Sequence, residues 1–270
     1  MMKFFQNLIN RIREFSSRNG YVCDGCGAEI FTYPQNRLCE DCEGKLYKND
    51  RGVCEKCGRQ TVAQGVCLSC KKRLPKYTKG ISPFVYKGET AAFVNRVKNG
   101  KRRLAYFFAE YMTQTLLQRY EGMKTFYVGD MSALNENVKE NVAVKTMWIV
   151  PVPMTEQAEK NRGFNQATEL AAAIEKELQQ KGYAVKLRED ILQKRRETKM
   201  QKHMDYESRI QNVEGAYHVH KRSDCKGATV LLVDDIMTTG ATGNECAERL
   251  FGAGAKEVIF LTAAALPERK

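Results

Sequence analysis

The stretch VLLVDDIMTTGATG, Val230 to Gly243, decides the fold. Its first four residues are aliphatic or β-branched, which is typical of a strand covered on both faces in a parallel sheet. Asp234 and Asp235 follow, so we place them at the carboxyl end of that strand. In open α/β sheets ligands bind at this edge, because the loops that leave the strands surround a crevice there. We therefore expect both aspartates to face a ligand.

The loop after the aspartates has the composition of a phosphate site. Its hydroxyl and backbone N–H groups can surround an anion, and its glycine permits a positive φ. The loop residues are Thr238, Thr239, Gly240, Ala241 and Thr242. Thr242 and Glu245 have the spacing of a capping box, so we expect a helix to begin here. Two carboxylates beside a phosphate loop suit a ribose 5-phosphate derivative, with Mg²⁺ between them.

The P-loop of nucleotide hydrolases is the rival phosphate motif. It needs a lysine directly after its last glycine, and no Lys or Arg lies between Val230 and Arg249. The sequence therefore argues against a P-loop nucleotidase.

Eight of the ten cysteines form four CxxC pairs, a pattern typical of zinc knuckles. The chain shows no secretory signal, so we expect a reducing compartment in which these thiols bind metal. Sequential pairing gives two zinc ribbons, and interleaved pairing is the alternative that the spacing leaves open. The two sites would be closed, and their zinc ions therefore structural. The ligands are Cys23, Cys26, Cys39, Cys42, Cys54, Cys57, Cys67 and Cys70.

The 270-residue chain has a formal net charge of +12, which zinc-bound thiolates would reduce to about +8. This balance favours a polyanionic partner, although basic runs are often solvated helix faces. One basic cluster spans residues 194–202. The other consists of Lys98, Lys101, Arg102 and Arg103. Nearby aromatic residues could stack on the bases of single-stranded DNA: Tyr77, Phe84, Tyr86, Phe93 and Tyr106.

Two segments bear on the membrane. Residues 1–20 are predicted to form an amphipathic helix that docks on the protein, with attachment to anionic lipid as the alternative. The longest uncharged apolar stretch, Val258 to Leu266, is far shorter than the ~20 residues of a membrane helix. We expect a cytoplasmic protein.

The rest of the pattern predicts a small cysteine module followed by an α/β domain. We place the cysteine module and a basic linker at residues 21–80 and the α/β domain at 81–270. Residues 121–145 are weakly patterned and are predicted to be an exposed insertion. Strands are expected at 81–88, 147–152, 183–187 and 258–263, and helices at 89–100, 102–120 and 165–181.

A second ligand loop is predicted after the strand at 147–152, because it leaves the same edge of the sheet as the first loop. Within it, Arg162 could pair with a phosphate, and Asn165 and Gln166 could donate from the start of the next helix. The alternative is that Asn165 caps that helix and Arg162 is a surface residue. Residues 192–213 are basic and polar with little periodicity, and we predict a mobile flap there.

Together these motifs resemble the ComF family of bacterial competence proteins, in which a double zinc ribbon precedes a phosphoribosyltransferase-like domain. The resemblance covers about residues 21–266. It is carried by the cysteine pairs, the stretch ending in TTGAT, VYKG, VPVP, RGFNQA at Arg162 to Ala167, GAY, and by Lys98, Gly100, Thr198, Gln201, Arg209 and Asn212. It implies a type I phosphoribosyltransferase-like open parallel sheet.

The resemblance also implies ligands and partners. The two aspartates would hold the ribose hydroxyls of phosphoribosyl pyrophosphate (PRPP), and the TTGAT loop would hold its 5-phosphate. RGFNQ would lie on the pyrophosphate side, and Mg²⁺ would accompany the ligand. A ComF protein would serve the uptake of transforming DNA with a helicase-like partner at the inner face of the membrane.

One residue departs from the purine-salvage phosphoribosyltransferases. Those enzymes place a carboxylate where Thr238 stands, as a general base toward the purine, and threonine cannot take that role at neutral pH. None of the three histidines has a recognisable partner that would replace it. Two hypotheses follow: a competence protein that binds ribose phosphate and single-stranded DNA, and an enzyme that transfers a phosphoribosyl group to an unidentified acceptor. Catalytic residues stay unassigned.

Overall fold

The computed structural model describes residues 22–30, 37–62, 64–129, 145–197, 206–220 and 225–268. The amphipathic helix predicted at 1–20 lies outside these ranges, as do Thr198, Gln201 and residues 130–144 of the predicted insertion. The chain forms two compact units, residues 1–46 and 47–270. This boundary falls inside the segment assigned from sequence to one cysteine module, because the second cysteine group belongs to the larger unit.

The larger unit is built around a parallel sheet. Its strands are β1 (Lys79–Ile81), β2 (Phe84–Val85), β3 (Met147–Pro151), β4 (Val185–Leu187), β5 (Leu192–Lys194), β6 (Tyr217–Val219), β7 (Thr229–Met237) and β8 (Glu257–Ala265). The sheet order is β1–β8–β7–β3–β4, with β2 also paired to β8 and all pairs parallel. β5 and β6 form a separate antiparallel pair. The open parallel α/β sheet is the one the sequence predicted.

The described helices are α1 (Glu40–Gly44), α2 (Leu68–Lys72), α3 (Gly88–Lys98), α4 (Arg103–Arg119), α5 (Glu156–Arg162), α6 (Gln166–Gln180), α7 (Tyr206–Val213) and α8 (Ala241–Gly252), with a 3₁₀ turn at Glu121–Phe126. The predicted helices at 89–100, 102–120 and 165–181 correspond to α3, α4 and α6. Helix α5 was not predicted, and it lies within the second ligand loop. The segment predicted as a flap contains β5 and the whole of α7. None of the described helices combines the length and apolar composition needed to cross a membrane.

Strand β7 runs further than its sequence suggests. It pairs with β3 only as far as Val233, opposite Pro151, but with β8 as far as Met237, opposite Ala265. Asp234 and Asp235 therefore lie within the strand and not beyond its end, which corrects the sequence prediction. Because β3 pairs no further than Pro151, the crevice expected at this edge of an open α/β sheet would lie beside the aspartates.

Both faces of the sheet are covered. Val230, Leu232 and Phe260 belong to one core cluster, which includes residues of α8 and the second cysteine group. Alternate residues of a strand point to opposite faces, so Leu231 and Leu261 face the other side, where α4 and α6 pack. The packing under α8 is close: a Cβ built on Gly243 would lie 2.6 Å from the Phe260 ring. Only a glycine fits there without movement.

Candidate functional site

The acid pair lies where β7 extends past β3. Asp234 and Asp235 are half-buried, and the backbone N–H of Asp235 donates to Asp234 Oδ1 at 2.8 Å. Lys98, the last residue of α3, places its Nζ 3.0 Å from Asp235 Oδ2. From sequence we assigned Lys98 to a nucleic-acid surface, whereas the structure brings it to the acid pair.

Burial and the adjacent charge of Asp235 raise the pKa of Asp234 to about 8. The pKa of Lys98 responds to two opposing effects. Burial lowers it, but the ion pair with Asp235 outweighs burial, so this pKa lies above its ordinary value. The site therefore combines a lysine cation with a carboxyl group that lacks solvation. Ribose hydroxyls or a divalent cation would supply the contacts that Asp234 has lost.

The loop after β7 turns sharply into α8. Gly240 is the N-cap of α8 with φ at 83°, a conformation that favours glycine. The backbone N–H of Ala241 donates to Thr239 Oγ1 at 3.3 Å. The first N–H groups of a helix have no carbonyl partner within it, so the start of α8 offers donors to a phosphate.

The capping box predicted for α8 is wrong. The N-cap residue is Gly240, which has no side chain to cap the helix, and Thr242 lies inside the helix. Glu245 instead accepts hydrogen bonds from Arg249, at 2.8 Å, and from the backbone N–H of Gly215, at 2.9 Å. Glu245 is therefore engaged by α8 itself and by the segment before β6.

Two residues of the β5–β6 pair face the site, and sequence analysis did not find them as a pair. Burial raises the pKa of Tyr217 well above the ordinary range, and the charge of Asp234 acts in the same direction. Lys194 Nζ lies 5.5 Å from the centre of the Tyr217 ring. Burial lowers the pKa of Lys194, while the carboxylates of Glu197 and Asp234 oppose that effect. The sequence signal for this pair of strands was weak: two short segments with both apolar and polar residues, separated by a basic stretch.

The second ligand loop holds the predicted residues in different environments. Asn165 Nδ2 donates to the Val152 carbonyl oxygen at 3.0 Å, and Asn165 Oδ1 accepts from Ala167 N–H at 3.0 Å. It therefore caps α6 and ties that helix to the end of β3. Gln166 is buried, and its Nε2 has no hydrogen-bond partner among the described residues. Arg162 is exposed at the end of α5.

Arg102 links the turn before α4 to this loop. Its guanidinium donates to the Gly163 carbonyl oxygen at 3.2 Å and lies 3.4 Å from Glu169. It also stacks 4.4 Å from the centre of the Phe164 ring. Two members of the predicted nucleic-acid cluster, Lys98 and Arg102, thus have partners within the protein.

Burial also limits the aromatic residues proposed to stack on bases. Tyr77, Phe84 and Phe93 are core residues and cannot reach a base. Tyr86 is half-buried, and Tyr106 is 45% exposed. Among the five, Tyr106 is best placed to contact a ligand from solvent.

The eight cysteines form two groups of four. Within each group the sulfur atoms lie within 4.8 Å of one another. The groups are sequential, so the interleaved alternative is excluded. The first consists of Cys23, Cys26, Cys39 and Cys42, and the second of Cys54, Cys57, Cys67 and Cys70. Cys225 and Cys246 are fully buried core residues.

The donor set of each group fits Zn²⁺. Four thiolates within one small sphere suit a closed tetrahedral site. Without a cation their charges oppose one another, and the hydrogen bond with Cys54 is the largest of the effects that raise the pKa of Cys57 to about 11. A bound divalent cation would remove that conflict, and all eight side chains would then serve as ligands.

Comparisons with known proteins show what the chain is similar to. Residues 160–270 match the family described as phosphoribosyl transferase domain. The chain is 22% identical to competence protein ComFC of Bacillus subtilis over 82% of its length and 80% of that protein. It is 24% identical to competence protein F of Haemophilus influenzae over 83% of its length and 94% of that protein.

A solved structure is also similar in part. It is the hypoxanthine-guanine phosphoribosyltransferase of Schistosoma mansoni in complex with IMP, with a TM-score of 0.30 and 14% identity over 64% of this chain and 68% of that one.

The matched phosphoribosyl transferase segment contains the acid pair, the loop after β7, and the second ligand loop from residue 160 onward. The similarity to two competence proteins and the two four-cysteine groups confirm the resemblance that the motifs predicted. The fold is that of a phosphoribosyltransferase-like α/β protein with cysteine groups on its N-terminal side.

Proposed function

We propose that this protein acts in natural competence and binds PRPP, or a related ribose phosphate, with Mg²⁺ in the crevice beside β7. The observation that carries the proposal is the joint placement of an acid pair and a helix N-terminal loop on one strand, inside the matched domain. The competence role rests on the names of the two relatives.

Each part of the crevice has a task in this proposal. Asp234 and Asp235 would accept hydrogen bonds from the vicinal ribose hydroxyls. The loop from Thr238 to Thr242 would surround the 5-phosphate with backbone N–H groups, aided by the partial positive charge of the α8 N-terminus. Mg²⁺ would supply charge that balances the pyrophosphate, with oxygen ligands from the PRPP itself.

Binding is the preferred activity, and transfer of a phosphoribosyl group to an acceptor is the alternative. Thr238 stands where purine enzymes have a general base, and it cannot remove a proton at neutral pH. Release of pyrophosphate from PRPP, measured with and without nucleic acid, separates the two. Turnover that disappears in Asp235→Asn would favour the enzyme.

Thermal unfolding tests the pocket directly. PRPP with Mg²⁺ should raise the melting temperature, because a ligand that binds only the folded state stabilises it by mass action. The double variant Asp234→Asn/Asp235→Asn should lose that increase. The exposed acid Glu189 provides the control, since Glu189→Gln should respond like the wild type. An equal increase in the double variant would place the ligand elsewhere.

Single-stranded DNA is the second ligand in this proposal. It is supported by the net charge of +12 and by the exposed Lys101 and Tyr106 on either side of the start of α4. A helicase-like competence protein is proposed as partner on the resemblance alone. The tagged protein can be purified from competent cells after the DNA has been removed. If no helicase-like protein co-purifies with it, this partner is contradicted.

A further inference from the structure

The second cysteine group is attached to the loop after β7 by several contacts, all within the larger unit. The segment from Cys54 to Tyr77 was expected to be an independent ribbon and a linker. Instead, the buried cysteines Cys54, Cys57, Cys67 and Cys70 share a core cluster with Met237, which precedes the loop, and with Ala241 of the loop itself. The cluster of thiols and the loop are therefore packed as one body.

Arg59 makes the most direct of these contacts. Its Nη2 donates to the Thr238 carbonyl oxygen at 3.2 Å, and its Nε is buried with no hydrogen-bond partner among the described residues. The side chain is 7% exposed. Arginine suits this position, because its long side chain carries several donors on a planar group and can reach the loop from the cysteine knuckle.

The negative charge of the cysteine group explains why the Arg59 cation can be buried. Four thiolates around one Zn²⁺ leave two negative charges, and Arg59 offsets one of them. The arginine lies two residues after Cys57 and presents its Nη2 donor to the loop.

Tyr77 makes the second contact. It is 3% exposed, its hydroxyl donates to Met237 Sδ at 3.4 Å, and its oxygen lies 3.4 Å from where a Cβ on Gly240 would stand. Tyr77 also packs on Phe260, with ring centres 5.2 Å apart. It therefore supports the loop at the turn that requires a positive φ.

Backbone contacts fix the cysteine group itself. A Cβ on Gly58 would lie 2.3 Å from the Gly80 carbonyl oxygen, and the Gly80 N–H donates to the Lys56 carbonyl oxygen at 2.7 Å. Gly80 belongs to β1, which pairs with β8. The knuckle around Cys54 and Cys57 is thus locked to the sheet, and Arg59 cannot move independently of β1.

We propose that the second cysteine group, with its metal, positions the loop from Thr238 to Thr242 for its anionic ligand, and that Arg59 is the positioning residue. Arg59 touches no ligand in this arrangement. It fixes the Thr238 carbonyl and so orients the N–H groups that follow. The ligand part of this inference rests on the proposed PRPP function.

The experiment compares full-length variants of two arginines from one segment. Arg59→Met removes the donor at similar size, Arg59→Lys restores one donor, and Arg51→Met changes an exposed residue as control. Zinc content and melting temperature are measured first. Two readouts follow: affinity for Mg²⁺ and PRPP by calorimetry, and hydrogen exchange of the peptide covering residues 236–243.

Arg59→Met should keep two zinc ions, bind PRPP roughly ten-fold more weakly or worse, and exchange faster in this peptide, because one buried hydrogen bond to the loop is lost. Arg59→Lys should fall between this variant and the wild type, and Arg51→Met should match the wild type. Unchanged exchange in Arg59→Met would overturn the proposal. If the wild type does not bind PRPP, the proposed function fails and the exchange result alone decides whether Arg59 positions the loop.

Removal of the metal is the second part of the experiment. Cys70→Ser should lose one zinc ion and the protection of the 236–243 peptide. Cys26→Ser, in the first group, should also lose one zinc ion but keep that protection, because its group makes none of the loop contacts described above. Equal loss of protection in both variants, or in neither, would contradict a positioning role for the second group.

Discussion

Lys98 and Asp235 form an ion pair, with 3.0 Å between Nζ and Oδ2, that joins the end of α3 to β7 inside the candidate crevice. The lysine supplies the positive charge that the two neighbouring carboxylates need when no ligand is bound. If Mg²⁺ or ribose hydroxyls bind Asp235 as proposed, the pair has to rearrange. The stability of the ligand-free protein and its response to ligand are therefore linked through one side chain.

Lys98→Met should destabilise the ligand-free protein at pH 8 by about 1–2 kcal/mol, because it leaves a half-buried acid pair without its cation. The loss should be smaller at pH 5, where Asp234 holds a proton. Urea unfolding at both pH values measures this difference. Lys101→Met changes an exposed neighbour and should have little effect at either pH. Equal losses for Lys98→Met at pH 5 and pH 8 would contradict the electrostatic explanation.

The raised pKa of Asp234 predicts how stability changes with pH. Its value of about 8 in the folded protein exceeds the usual value near 4 in an unfolded chain, so between these values the folded state binds a proton that the unfolded state has released. The free energy of unfolding should therefore fall as pH rises from about 4 to 8. Asp234→Asn removes this contribution, and its melting temperature should decrease less between pH 6 and 8 than that of the wild type. If the melting temperatures of the two proteins change equally between pH 6 and 8, Asp234 does not titrate in this range.

Metal analysis of protein purified without chelator should give two Zn²⁺ per chain, because each four-cysteine group fills one tetrahedral site. Cys67→Ser should reduce the content to one. Cys246→Ser alters a cysteine outside both groups and should leave it at two. A folded wild-type protein with one zinc ion or none would refute the assignment.

Gly243→Ala should destabilise the protein by about 1–3 kcal/mol, since the added methyl group would meet the Phe260 ring at 2.6 Å. Gly252→Ala lies in the same helix with nothing within 4 Å of the new atom, and it should be neutral or stabilising. Thermal unfolding of the two variants provides the comparison. A Gly243→Ala protein as stable as Gly252→Ala would mean that α8 shifts freely on the sheet.

Salt dependence tests the proposed binding of single-stranded DNA. The logarithm of affinity should fall with the logarithm of salt concentration, because each phosphate contact releases counterions. Since Lys98 belongs to the acid pair, the informative variant is Lys101→Gln/Arg103→Gln, which should reduce the slope by about 1 for each lost contact. The control is Lys256→Gln, which changes an exposed lysine in the turn before β8. Without salt-dependent retention by the wild type, DNA would be discarded as a direct ligand.

The sequence predicted the parts of the site that are local in the chain. Val230 to Val233 are fully buried, and the aspartates and loop follow as expected. The extension of β7 to Met237 was not predictable, because it depends on pairing with β8, which is distant in sequence. The capping box failed for a similar reason, since Glu245 is engaged by Gly215.

The loop support by Arg59 and Tyr77 was missed because it is non-local. Arg59 and Thr238 are 179 positions apart, and Tyr77 and Met237 are 160 positions apart. Tyr77 lies in a basic stretch with Pro and Gly that is typical of a linker, and its burial arises only when β1 joins the sheet. Periodicity describes single elements, so it gives no signal for contacts of this kind.

The position of β8 between β1 and β7 has a consequence for biosynthesis. Gly80 of β1 aligns with Phe260 of β8, so a nascent chain on the ribosome carries β1 without its neighbour until synthesis has passed this strand. The cysteines of the second group emerge much earlier and can take up metal first. The sheet would then close late around a preformed metal knuckle, and slow closure of such a long loop is the stage at which a nascent chain is most exposed to aggregation.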